Sequence, residues 1–182
     1  MATNLRDQPD FLLLDTGPFL TWCAVLYLDR EKAGVSRRGE MFRSIRQNQK
    51  REFSRRDEES LKLACEKRQP RTTPHVIAEA LKFRGQSALK RIASEFRSFV
   101  LELVREKKLV EMPVPTSHLA ETEVFTRLVA EYDITDAALI WCVETYHCTL
   151  LIDDGRLFKG CMGDTSTRVH MLDVYLEVGS VR

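Results

Sequence analysis

The run Phe11-Leu12-Leu13-Leu14 leads straight into Asp15, then a Thr16-Gly17-Pro18 turn, then a second apolar run from Phe19 to Leu28. A short unbroken apolar run closed by turn residues suits a strand buried on both faces, as in a parallel sheet. Proline is tolerated in the first turn of a helix, so the turn ends the strand at 11–15 and opens a helix over about 18–28. That helix is apolar almost all the way round and therefore belongs inside the protein. Asp15 then stands at the C-terminal end of a central strand, the edge at which open α/β sheets bind ligands. A buried carboxylate is costly unless something positive meets it. Asp before a helix is also a common N-cap, and for Asp15 alone the cap is a sufficient reason.

The 18 residues from Phe11 to Leu28 also reach the lower limit for a membrane span. Asp15 would cost about 2.5–3.5 kcal/mol near the centre of a membrane helix, and Gly17-Pro18 stands beside it. The N-terminus sets Arg6 against Asp7 and Asp10, which is not the positive region of a signal peptide. Five cysteines (Cys23, Cys65, Cys142, Cys148 and Cys161) include no Cys-x-x-Cys pair, which argues for a reducing compartment without disulfides. His147-Cys148 lacks a second pair at zinc-ligand spacing, so buried free thiols are the better account. The expectation is a cytoplasmic protein with no membrane contact, and 182 residues suffice for a single domain, 1–182, carrying an insertion.

The net charge of +1 hides an asymmetry: residues 30–71 hold 14 Lys or Arg against 7 Asp or Glu, a local +7 set against −6 elsewhere. A basic segment on an acidic body suits a polyanion partner near a cation-binding centre. Arg37, Arg38, Arg43, Arg46, Lys50, Arg51, Arg55 and Arg56, with occasional aromatics between them, are candidate contacts to phosphates and exposed bases. A solvated insertion accounts for the charge run equally well. A thin apolar stripe predicts two helices in this basic insertion at 29–71, over about 36–53 and 57–67.

Thr73 as N-cap and Pro74 at the first position start a helix running to Phe83, in which Ile77, Ala80 and Leu81 share a face and Glu79 lies off it. An amphipathic helix follows over about 86–108, then a short strand at 109–114 and a helix over about 116–132. Thr135 is the expected N-cap of the next helix, with Asp136 in its first turn, where a carboxylate favours the helix dipole. Thr149–Ile152 reads as a second buried strand and ends in Asp153-Asp154-Gly155. Adjacent carboxylates repel unless a cation is present, which is harder to explain as structure alone. A last strand over about 169–172 ends in Asp173 and a tail.

Strands alternating with helices imply an α/β fold with a parallel sheet, and right-handed crossovers bring strand ends to one edge. Asp15, Asp136 and Asp154 can thus converge, and a cluster of hard oxygen donors suits Mg²⁺ or Mn²⁺. Four patches together resemble a PIN-domain nuclease. Leu12-Leu13-Leu14-Asp15-Thr16 resembles its first motif, an apolar strand ending in Asp-Thr or Asp-Ser, and Thr73-Pro74-His75-Val76-Ile77-Ala78-Glu79 resembles its second, a helix bearing Glu. Thr135-Asp136-Ala137-Ala138-Leu139-Ile140 resembles the third, and Leu150-Leu151-Ile152-Asp153-Asp154 the fourth.

The resemblance implies a three-layer sandwich around the parallel sheet. It also implies that Asp15, Glu79, Asp136 and Asp154 are catalytic metal ligands, with Asp153 an alternative ligand and the Thr16 hydroxyl beside the ion. An endoribonuclease that hydrolyses RNA phosphodiesters with Mg²⁺ or Mn²⁺ is the activity it implies. Toxins of toxin–antitoxin pairs share this fold, so an antitoxin or other protein partner and a homodimer come with the resemblance. Two departures stand out: the basic segment is longer than in compact toxins, and Asp154-Gly155-Arg156-Leu157 replaces the more usual Asp-x-Asp-Phe. A catalytically weak RNA- or protein-binding module, and a nuclease of single-stranded or flap DNA, are the alternative readings.

Overall fold

Leu12–Leu14 form strand β1, and all three side chains are fully buried although neighbours on a strand point to opposite faces. Both faces of the sheet are therefore covered here. In the computed structural model, which describes residues 11–47, 51–83, 92–114, 117, 123–160 and 168–179, β1 is the middle of a five-stranded sheet. With β2 (Pro70–Thr72), β3 (Val110–Glu111), β4 (Thr149–Ile152) and β5 (Val169–Met171) the order is β3-β2-β1-β4-β5, every pairing parallel. The expected α/β class is observed, and its covered sheet is compatible with three layers.

Nine helices are described: α1 (Thr16–Arg30), α2 (Val35–Ile45), α3 (Arg55–Lys67), α4 (Pro74–Ala80), α5 (Ala93–Arg105), α6 (Glu123–Glu131), α7 (Ile134–Tyr146), α8 (Gly155–Gly160) and α9 (Leu172–Gly179). α1 is buried along most of its length and packs against α2, α3, α4 and α5 as well as β1 and β4. Tyr27 on α1 meets Phe96 and Phe99 of α5, with both ring centroids at 5.6 Å. Such tilted and edge-on pairs add roughly 0.5–1.5 kcal/mol each beyond area burial. Among the described residues, no helix is long and apolar enough to cross a membrane. Cys23, Cys65, Cys142 and Cys148 are free and buried, as expected, and Cys161 lies outside the described residues.

Several elements differ from expectation, α4 among them, which ends at Ala80 rather than Phe83. β2 was not legible, because Pro-Arg-Thr carries no apolar run; Pro70 is tolerated as the first strand residue, and pairing with β1 and β3 makes the strand. α2 stops at Ile45 rather than near 53, and α3 begins at Arg55 behind a Ser54–Asp57 capping box. That Ser-x-x-Asp spacing was a usable signal. The N-cap of α7 is Asp133, not Thr135: its carboxylate accepts the N–H groups of Thr135 and Asp136 at 2.9 and 3.0 Å. After β5 the chain forms α9 rather than a tail, with Leu172 and Leu176 buried. Of the helices expected over 86–108 and 116–132, α5 and α6 are the described parts.

The chain leaves β1 toward β2 and β3, then returns to the other side of β1 as β4 and β5. The order reverses between β1 and β4, and in open α/β sheets the crevice at such a switch point is the usual ligand site.

Candidate functional site

Asp15 follows β1, and Asp153 and Asp154 follow β4, the strand paired with β1. Parallel pairing of Leu14 with Leu151 puts the two chain exits side by side. Asp15 does cap α1, accepting the Thr16 N–H at 2.6 Å, so the cap reading holds. It is nonetheless in an unusual state. Burial pushes its carboxyl up, and although the Thr16 N–H opposes this, the negative charges of Asp136, Glu79 and Asp153 add to it, leaving it at about 7.

Glu79 comes from α4. Periodicity left it off the buried face, but it is half-buried, and each of its carboxylate oxygens accepts a threonine hydroxyl. Thr16 donates to Oε2 at 2.7 Å and Thr135 to Oε1 at 3.0 Å, so the first turns of α1 and α7 both orient it. No local sequence signal announces Thr135 in this role.

Asp136 lies in the first turn of α7, which Asp133 caps. Burial raises it most, then Asp133 and Asp154, with a smaller rise from Glu79 and an opposing pull from Arg156, to about 6. Asp153 is raised to about 6 by burial and by Asp173, against the pull of Arg46, whose Nη2 lies 3.7 Å from its Oδ1. Asp154 is exposed, and its Oδ1 accepts the Arg156 and Leu157 N–H groups at 2.7 and 3.4 Å, capping α8. The two neighbours thus divide: Asp153 acts on Asp15, Asp154 on Asp136. Gly17 allows this approach, since a Cβ there would stand 2.8 Å from Asp153 Oδ2.

All five candidate ligands are therefore brought to one edge of the sheet. Among the described residues none of Asp15, Glu79, Asp136 and Asp154 forms an ion pair with Lys, Arg or His, and Arg46 is a cation at Asp153. Carboxylates gathered in this way, offering oxygen donors alone, fit a hard divalent cation. Among the described residues, no three such side chains already stand in a ligand shell.

The basic candidates are placed very differently. Arg38 pairs with Asp29 and Glu58, Arg55 with Asp29, Glu58 and Glu59, and Arg51 with Asp57, Asp173 and Glu177. Arg46, far from being a surface contact, is buried, and its Nη2 donates to Asp173 at 2.7 Å. Arg43 and Arg56 are exposed, Arg37 is half-buried, and Lys50 lies outside the described residues. The contact between Arg46 and Asp173 joins positions far apart in sequence, and no local signal announces it.

Compared with models of known protein families, with curated proteins and with solved structures, the chain matches none of them.

Proposed function

We propose that this protein is a divalent-metal-dependent phosphodiester hydrolase of the PIN type, acting as an endoribonuclease. The observation that supports this best is the convergence of Asp15, Glu79, Asp136, Asp153 and Asp154 at the sheet's switch point, with mutual repulsion and no cation paired to Asp15 among the described residues. A buried carboxylate raised to about 7 destabilises the fold at neutral pH, and a cation ligand is the economical compensation.

Asp15, Glu79, Asp136 and Asp154, with Asp153, would hold Mg²⁺ or Mn²⁺. Held there, such an ion would supply activation of water for in-line attack on phosphorus and stabilisation of the leaving oxygen. The chain's own part is positional. The Thr16 and Thr135 hydroxyls fix both oxygens of Glu79, and Asp133 holds the turn that carries Asp136. Arg46 offsets charge on Asp153. The choice of RNA, an antitoxin partner and a homodimer follow from the resemblance of the four motifs.

The test is cleavage of a mixed pool of RNA and single-stranded DNA in Mn²⁺, with wild type and Asp15→Asn side by side. Loss of several kcal/mol of charge stabilisation predicts a fall of about 10³-fold or more in the variant. Chelation with EDTA abolishes cleavage by the wild type, and RNA is the preferred substrate. Absence of cleavage, together with no Mn²⁺-dependent rise in melting temperature, rejects the proposal.

A further inference from the structure

Two cavities share Arg46 and Arg51 in their walls. One, of about 710 Å³, is the acidic cleft and also contains Asp15, Asp153 and Asp154. The other, of about 410 Å³, lies between the end of α2 and residues 51–53, with Phe42, Arg43, Glu52 and Phe53 among its lining residues. Pockets of a few hundred Å³ are the size that encloses small ligands or single building blocks of larger ones.

Arg46 is the unusual group in this wall. Its side chain is 3% exposed and its Nη2 is held by Asp173, yet Nε and Nη1 are buried with no hydrogen-bond partner among the described residues. Buried N–H donors normally find an acceptor, and a guanidinium fork is shaped for a phosphate or carboxylate. The guanidinium carbon sits 4.8 Å from the centre of the Phe53 ring, and Phe42 packs on the same ring at a centroid distance of 4.8 Å. Phe53 is half-buried, so part of this aromatic wall faces the cavity. Arg43, exposed at the rim, adds a second cation, and Glu52 supplies an acceptor.

Cations beside an aromatic wall match a phosphate joined to a base, and a base is free to lie against such a wall when the strand is single. We infer that this cavity is a nucleotide subsite, taking one nucleotide of a single-stranded nucleic acid whose neighbouring phosphodiester lies in the acidic cleft. The phosphate meets Arg46 and Arg43, the base lies against Phe53, and Glu52 accepts from a base amino group. The inference rests on the nuclease reading for the identity of the strand and deepens it by placing a flanking nucleotide.

The test is equilibrium binding of a fluorescein-labelled 12-nucleotide single-stranded RNA of mixed sequence, in EDTA, by fluorescence anisotropy. Asp15→Asn serves as the parent so that cleavage plays no part. Adding Phe53→Ala weakens binding about tenfold or more, the usual scale for losing one stacked base. Phe53→Tyr restores it, and Arg43→Ala weakens it, whereas Arg105→Ala, an equal loss of charge on α5, leaves it unchanged. Melting curves confirm that each variant is folded, and the exposed Arg43 gives a reading even where Phe53→Ala unfolds. The subsite is overturned if the parent does not bind the RNA, or if Phe53→Ala and Arg43→Ala bind no worse than Arg105→Ala. Cleavage in Mn²⁺ without Phe53-dependent binding removes the subsite and keeps the nuclease. Phe53-dependent binding without cleavage does the reverse.

Discussion

Asp29 in the basic segment and Asp15 at the sheet edge are both partly shielded carboxylates, yet their surroundings push them in opposite directions. Burial raises Asp29, but hydrogen bonds from Lys62 and Arg38 outweigh it and hold the group below its ordinary value. Asp57 behaves alike: Ser54 and Arg51 overcome its burial. Asp15 gains only one backbone N–H against burial and three negative neighbours, and it rises to about 7. The acids of the basic segment are thus met by cations although residues 30–71 keep a net +7, whereas Asp15 in the ordinary-looking body stands without a cation partner among the described residues. Charge density in sequence says where ions are; only their pairing says where a ligand is needed.

Breaking the paired side gives the largest stability effect. Arg38 bridges Asp29 on α1 and Glu58 on α3, and its side chain is 12% exposed. Arg38→Met should cost about 2 kcal/mol, because it leaves the buried Glu58 to Arg55 alone and Asp29 to Lys62 and Arg55, and should lower the melting temperature by roughly 6 °C. A shift under a couple of degrees would mean that the pairs are ornamental and the contrast between the regions is false.

A pH series of melting curves in EDTA sharpens the comparison. Asp29 and Asp57 are lowered in the folded state, so their stabilisation is present above the unfolded value near 4 and lost as pH falls below it. Asp15, Asp136 and Asp153 are raised to about 7, 6 and 6, so the folded state binds protons that the unfolded state has released. Their contribution is full below about pH 4 and is lost as pH rises through 6–7. Stability in EDTA should therefore peak between these limbs, and Asp15→Asn should flatten the upper limb alone. Mn²⁺ should lift the same limb increasingly with pH, since its ligands must be deprotonated. An upper limb unchanged by both would show that the acids do not act as a group.

The smallest effect on folding is expected at Thr16. Thr16→Val removes one hydroxyl that orients Glu79. It should weaken Mn²⁺ affinity, read by titration calorimetry, about 10–100-fold while barely moving the melting temperature in EDTA. Equal affinity in the variant would show that Glu79 needs no such support.

Local sequence alone determined much of the frame. The apolar runs at 11–14 and 149–152 are β1 and β4, because unbroken apolar strands have nowhere to lie but the middle of a covered sheet. Thr73-Pro74 starts α4, and the carboxylates at both strand ends come to one edge through parallel pairing. Tertiary structure decided the rest. A three-residue strand of Pro-Arg-Thr exists only because β1 and β3 flank it. Glu79 faces the site because hydroxyls from α1 and α7 reach it, which no periodicity within α4 records. Arg46 and Asp173 find each other across the chain, and the basic segment folds onto its own acids, because Coulomb attraction acts through space and a sequence orders charges only along one line.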